Sequence, residues 1–231
     1  MINQKSDEAE ENEYFDELIL IQKIIEPNLN NGYNRLELTY ETKEDNEKIN
    51  LIGGFYYFFA KKYLMICDPE KKRLISDYVY TFDSKGEHQI IIIVSELFKN
   101  FNGMFHRCYN LKNITGHLDT SHVADFGCMF MECNNLTNID FVKDWDVSAG
   151  ENFNSMFSQC FNLTNIDTLK NWNVSKGTNF SYMFYACKNL TEVDSLKNWN
   201  ISKGTNFEGM FKNCDKLNMD KIPPNLKVLI N

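Results

Sequence analysis

Apolar residues follow one fixed pattern five times in the second half of the chain. Each time the pattern reads Phe-x-x-Met-Phe-x-x-Cys-x-x-Leu, and it begins at Phe101, Phe126, Phe153, Phe180 and Phe207. The period is 25 residues once and 27 residues three times, which is typical of stacked repeats. From Phe to Cys the apolar residues are spaced by three to four positions, which predicts one short helical turn in each repeat.

The rest of each repeat predicts a strand and a return to the next unit. Leu-x-x-Ile-Asp alternates as in a short strand, and the longer units then place Trp145, Trp172 and Trp199 at one position, where we expect them to pack between units. We therefore predict an α/β solenoid of about five coils of 25–27 residues, with short helices and a parallel sheet on the concave side. The repeats span residues 99–220.

The pattern before and after the repeats predicts two caps. Residues 14–98 predict a helix over 14–26, followed by a small β-rich capping domain with strands near 36–40, 49–52, 63–67, 77–82 and 89–94. Residues 1–13 are acidic and poor in apolar side chains, which predicts a disordered tail. Residues 221–231 form the C-terminal cap, in which Pro223 and Pro224 stop another helix while Leu226, Val228 and Ile230 alternate as a closing strand.

The repeat motif resembles a known family. Met-Phe-x-x-Cys-x-x-Leu-x-x-Ile-Asp followed by Trp-x-Val-Ser is similar to the units of the BspA-like leucine-rich repeat family of bacterial and protist surface proteins. The similarity covers about residues 101–220, and residues 36–98 resemble the β-rich region that precedes the repeats in many members. The resemblance implies a leucine-rich-repeat-like array and a role as a surface protein in adhesion.

Charge is concentrated at the N-terminus. The 231 residues carry a net charge of −8, and residues 1–26 contain eight acidic side chains against two lysines. Because no basic stripe is present, binding to nucleic acid or to an anionic membrane has little electrostatic support. The apolar runs are too short to span a bilayer, and the N-terminus lacks the features of a secretory signal. We expect a cytoplasmic protein without membrane insertion; the family resemblance gives the cell surface as the alternative.

Side chains with catalytic potential are scattered along the sequence. Five of the seven cysteines occupy one repeat position, and only Cys128 and Cys133 approach the spacing of a zinc-binding pair, without a second pair nearby. We expect the cysteines of the repeat column to be buried thiols. The four histidines do not form a motif. The sequence therefore predicts a protein without metal or cofactor that is not an enzyme, unless the N-terminal region contains a pocket that no motif reveals.

The candidate binding residues lie beside the isoleucine of the predicted strand. In that strand the flanking polar side chains point outward and form two ladders along the concave face: Asn138, Asp140, Asn165, Asp167, Glu192 and Asp194. They are either the solvated face of a sheet or a site whose stacked carboxylates attract a basic partner or a cation. The favoured function is a non-enzymatic protein–protein interaction module that binds a protein partner, and the alternative is a cell-surface adhesin of the BspA-like type.

Overall fold

The fold is taken from a computed structural model, which describes residues 33–54, 56, 63–95 and 100–229. The predicted disordered tail over residues 1–13 and the predicted helix over residues 14–26 lie outside the described residues.

The N-terminal part of the described chain consists of two antiparallel sheets. Its strands, in chain order, are β1 (Tyr33–Thr42), β2 (Glu47–Asn50), β3 (Leu64–Asp68), β4 (Arg73–Ile75), β5 (Val79–Phe82), β6 (Gly86–Ser95) and β7 (Leu111–His117). The larger sheet has the order β4-β3-β6-β1-β7, and β2 pairs with β5 in the smaller one. The strands predicted over residues 36–94 are confirmed, whereas β4 was missed.

The two faces of the large sheet are both buried at its central strand β6. Ile90, Ile92 and Val94 face the main core, and Ile91 and Ile93 face a smaller cluster on the opposite side. This follows from the alternation of side chains along a strand. A strand buried on both faces reads as a continuous apolar run, which is why this segment of the sequence shows no alternation.

Strand β7 comes from the first repeat and connects the repeats to the large sheet. It pairs antiparallel with β1, with Ile114 opposite Leu38 and Gly116 opposite Leu36. Gly116 has a φ of +97°, and a Cβ at this position would overlap the carbonyl oxygen of Arg35. Glycine is therefore required where β7 approaches β1.

The predicted α/β solenoid with short helices and a parallel concave sheet is wrong, and the leucine-rich-repeat description fails with it. Both sheets of the described chain are antiparallel, and its parallel contacts are isolated bridges that join Asp125, Asn152, Asn179 and Asn206 in sequence. In place of α-helices, the described repeats contain four 3-10 helices: Asp140–Val142, Asp167–Asn171, Asp194–Asn198 and Met219–Lys221. The predicted strand does not form because Ile139 has φ −131° and ψ 35°, which ends the extended conformation.

The predicted helix between Phe and Cys is a series of turns. We call residues 101–108, 126–133, 153–160, 180–187 and 207–214 the turn segments. The third and seventh residues of every turn segment have positive φ, for example Tyr182 and Ala186, both at 55°. A left-handed residue cannot continue a right-handed helix. The spacing identified the inward-facing residues correctly but not the backbone that places them.

Backbone amides in the turn segments alternate between two kinds of partner. Met183 donates to the carbonyl of Phe180 within its own segment at 3.3 Å, whereas Phe184 donates to Met210 in the next segment at 2.9 Å. The same alternation joins all five turn segments. Each unit therefore satisfies its buried backbone partly through its neighbour, as buried amides require.

The phenylalanine and cysteine side chains of the repeats also contact neighbouring units. The phenylalanines that follow the repeated Met stack with ring centroids 5.4–5.7 Å apart: Phe105, Phe130, Phe157, Phe184 and Phe211. The cysteine of each later unit donates its S–H group to the carbonyl of the phenylalanine in the unit before, as Cys160 does to Phe130 at 3.1 Å. The cysteine column is thus explained by a small buried side chain that also donates a hydrogen bond.

The tryptophan position is buried in the later units. Trp172 and Trp199 are each 4% exposed and stack with centroids 6.5 Å apart. Their Nε1 groups donate to the carbonyls of Val142 at 3.1 Å and Leu169 at 2.9 Å. Trp145 is only partly buried, and among the described residues its indole N–H has no such acceptor.

The predicted closing strand is also wrong. Residues Pro224–Lys227 form a short helix, α1, because proline fits the first helical position, where no amide hydrogen is needed. Leu226 of α1 is fully buried, while Val228 is 75% exposed. Ile230 lies outside the described residues.

Glycine at a left-handed position tests the turn backbone. Replacing Ala186 by glycine should raise the free energy of unfolding by about 0.5–1 kcal/mol, because relief of the Cβ contact, about 1–2 kcal/mol, exceeds the extra entropy that glycine loses. Lys212→Gly, at a position without positive φ, is the control and should destabilise. Urea denaturation measures both. Destabilisation by Ala186→Gly would indicate a helix instead.

Truncation of the tryptophans tests the inter-unit packing. Trp172→Ala should cost about 3–5 kcal/mol, as expected for a large buried side chain. Trp145→Ala should cost clearly less, since this ring is partly exposed and lacks the carbonyl partner. Equal losses in thermal or urea unfolding would contradict the difference in burial.

Candidate interaction surface

The six predicted binding residues lie on exposed positions of the repeats, but not on a strand. Asp140, Asp167 and Asp194 are each the first residue of a 3-10 helix. Asn138, Asn165 and Glu192 lie two residues before them, and all six are exposed. The structure thus places them at equivalent positions of successive units. Whether they bind anything stays a prediction.

Local hydrogen bonds fix the start of these 3-10 helices. The side-chain oxygen of Asn138 accepts from the amide of Asp140 at 3.1 Å, and Asn165 accepts from Asp167 at 2.6 Å. Such asparagine turns compete well with regular secondary structure. They give one reason why the chain turns here instead of extending.

A lysine follows each aspartate by three residues, which the sequence interpretation missed. Lys143, Lys170 and Lys197 are all exposed. Lys197 bonds to Asp194 at 2.9 Å, while Lys143 approaches Asp144 at 3.9 Å. We call the three aspartates and three lysines the Asp–Lys rows. Their signal was the spacing Asp-x-x-Lys, which recurs with the period of the repeat.

The lysine row changes the electrostatics that the sequence suggested. Stacked carboxylates repel one another, but each unit also carries a lysine three residues after its aspartate, and Lys197 bonds directly to Asp194. Exposed pairs of this kind contribute about 0–1 kcal/mol to stability. The rows are therefore a solvated pattern of both charges and not an acidic ladder alone.

Buried side chains hold the backbone beneath the rows. Val142, Leu169 and Leu196 are each the third residue of their 3-10 helix and are fully buried. The carbonyls of Val142 and Leu169 also accept the indole hydrogen bonds of the next unit. The backbone that bears the exposed charges is therefore fixed to the core by these buried side chains and hydrogen bonds.

Two clefts flank the ends of the rows. One, of about 400 Å³, is lined by Glu192, Val193, Asp194 and Lys221. The other, also about 400 Å³, lies between β7 and the first 3-10 helix, where its lining includes Ile114, Asp140, Phe141, Lys143 and Trp145. Both clefts combine row residues with apolar side chains.

A separate polar cluster surrounds Glu132 on the turn segments. Arg107 Nε donates to its carboxylate at 3.1 Å and Tyr109 donates at 3.0 Å. His106 Nε2 is buried without a hydrogen bond and lies 3.6 Å from the same carboxylate. Burial would raise the pKa of Glu132, but the hydrogen bonds from Arg107 and Tyr109 outweigh it and lower that pKa. Burial and the Arg107 guanidinium lower the pKa of His106.

The buried thiols are poorly suited to chemistry. The seven cysteines are thiols that form no disulfide in the described chain, and burial raises the pKa of Cys160 to about 12 and that of Cys214 to about 11. A thiol is nucleophilic only as the thiolate.

Among the described residues, no group of three or more His, Cys, Asp or Glu side chains is arranged for a metal ion. In the same residues no helix has the length and apolar character required to cross a bilayer.

Comparison with known proteins places the repeats in a family. Residues 99–223 match a family model described as "Mycoplasma protein of unknown function, DUF285". No curated protein matches the chain, and no solved structure does. The match begins before the first turn segment and ends before α1.

Acidification should destabilise the Glu132 cluster in two steps. In the unfolded chain histidine takes up its proton near pH 6.5, whereas folded His106 resists it, so stability falls as the pH drops below that value. Glu132, whose pKa is lowered on folding, adds a further loss as the pH approaches its folded pKa. His106→Gln should remove the first step, while the control His122→Gln, at an exposed histidine, should keep it. Unfolding curves from pH 8 to about 2 measure both steps, and identical pH profiles for both variants would contradict the first.

Proposed function

This chain belongs to the DUF285 family, whose description assigns no activity, and we propose that it is a non-enzymatic module that binds a protein partner. The proposed binding surface consists of the Asp–Lys rows together with Asn138, Asn165 and Glu192. The single observation that carries the proposal is the repetition, at three successive anchored 3-10 helices, of an exposed aspartate followed three residues later by an exposed lysine.

Regular spacing supports recognition of an extended protein surface. The stacked phenylalanine rings of the turn segments repeat every 5.2–5.7 Å along the units, so equivalent exposed positions of the units recur at a comparable interval. Weak contacts of one kind, repeated on a rigid support, add into one specific interface. A flexible surface would lose more entropy on binding.

The lysine row specifies the partner more closely than the aspartates alone. A purely basic partner would match the aspartates and be repelled by the lysines. The surface instead fits a partner that offers acidic and basic groups side by side, with its acidic groups opposite Lys143, Lys170 and Lys197. Complementary charge of this kind sets specificity and association rate more than total affinity.

Exchange of the two rows tests the proposal without changing composition. The variant carries Asp140→Lys, Lys143→Asp, Asp167→Lys, Lys170→Asp, Asp194→Lys and Lys197→Asp, so its net charge equals that of the wild type. Affinity capture from the source cells, followed by binding measurements with each purified captured protein, compares the two. We expect the partner to be lost from the variant, with the larger difference at low salt.

A second variant separates charge from shape. Replacing Asp140, Asp167 and Asp194 by Asn preserves size and should weaken the same interaction only in part, because the lysine row remains. Both variants should unfold within about 1 kcal/mol of the wild type, since exposed pairs contribute little. Retention of every partner by the folded row-exchange variant would refute this surface.

A further inference from the structure

We propose that the last turn segment, residues 207–214, is an open end that binds a partner polypeptide folded as the same kind of turn segment. This surface is distinct from the Asp–Lys rows, and it does not depend on the function proposed above.

Four backbone amides at this end lack a partner. In the preceding segment, Tyr182, Phe184 and Ala186 donate to carbonyls of the last segment, and Phe180 donates to Asn206 just before it, all at 2.7–2.9 Å. The equivalent amides of the last segment belong to Phe207, Gly209, Phe211 and Asn213, and no acceptor for them exists among the described residues. A partner that supplies carbonyl oxygens would pair with these amides in the way that the last segment pairs with the amides of the segment before it.

The open end presents donors without matching acceptors. The carbonyls of Phe207, Gly209 and Phe211 already accept from Met210, Lys212 and Cys214 within the segment, at 3.1–3.3 Å. An ordinary β-strand offers donors and acceptors along one edge, so its own amides would be left unpaired here. In each of the four contacts between successive turn segments, the later segment directs carbonyl oxygens toward the segment before it. The donor row therefore selects another turn segment.

A second copy of this chain does not satisfy the end. Two such ends placed face to face would oppose donors with donors. At the other end of the stack, Gly53 donates to the carbonyl of Met104 at 2.8 Å, and a Cβ at Gly53 would overlap the Gly103 carbonyl. The loop that carries Gly53 thus occupies the place where a further unit would stack. The partner is a different polypeptide whose first unit has free carbonyls.

Apolar side chains beside the donor row fit such a partner. A cleft of about 290 Å³ is lined by Gly209, Met210, Phe211, Lys212 and Met219. Met219 is 48% exposed, and Val228 and Leu229 are 75% and 43% exposed. In the described chain, these are three of the four large hydrophobic side chains that are exposed, and all three follow the last turn segment. Of these three, Met219 lines the cleft beside the donor row, where it offers an apolar contact next to the hydrogen bonds.

Binding of a synthetic turn-segment peptide tests the proposal on the full-length protein. The probe has the sequence of residues 153–194, and a peptide of scrambled sequence is its control. Amide hydrogen exchange followed by NMR should show new protection at Phe207, Gly209, Phe211 and Asn213. Met219→Glu, which places a charge in the cleft, should weaken binding at least about tenfold. Asn171→Glu adds the same charge on an exposed inner unit and should leave binding unchanged.

The remaining outcomes overturn the proposal. No protection of the four amides at the highest soluble peptide concentration would show that the end does not accept a turn segment. Equal protection by the scrambled peptide, or by a peptide that forms a plain β-strand, would remove the selectivity. Loss of peptide binding in the row-exchange variant, with Met219→Glu still binding, would assign the contact to the Asp–Lys rows instead.

Discussion

The hydrogen bonds that run from alternate amides of one turn segment to the carbonyls of the next determine most of this structure. They form because every fourth residue of a turn segment is left-handed, which turns successive amides in different directions. Tyr182, for example, has φ 55° and donates to Glu208 at 2.7 Å. Because these bonds hold neighbouring units side by side, the phenylalanine rings of successive units stack, and the cysteine S–H groups reach the carbonyls of the preceding unit.

The same bonding explains how the molecule presents its surface. Units held in register repeat each exposed position, so the Asp–Lys rows arise from the backbone without any contribution from the charged side chains themselves. It also makes the two ends unequal, since all inter-unit amides point toward the C-terminal end. The first unit is closed by the pairing of its strand β7 with β1 and by Gly53, whereas the donors of the last unit find no acceptor in the part of the chain that the structure describes.

The sequence predicted which residues are buried far better than it predicted the backbone. The Phe, Met, Cys and Leu positions of the repeat are all in the core, because apolar spacing reflects which side of the chain faces inward. Spacing of three and four residues is shared by a helix and by these turns. Glycine would have revealed the left-handed positions, but most of them hold other residues, among them Cys128, Gln159 and Ala186. The predicted parallel sheet failed because Ile139, Ile166 and Val193 precede 3-10 helices, a change that polar spacing does not signal. The lysine row is visible in the sequence as Asp-x-x-Lys at the period of the repeat, but the site was predicted only from the polar residues that flank the isoleucine.

Scalar couplings across hydrogen bonds, measured by NMR between amide nitrogens and carbonyl carbons, test this account most directly. The structure predicts couplings from Phe157 to Met183 and from Phe184 to Met210, which join successive units. A helix in the turn segments would instead couple Phe157 to Phe153, four residues earlier. Observation of the inter-unit couplings would support the alternating turn backbone, and observation of the helical coupling would contradict it.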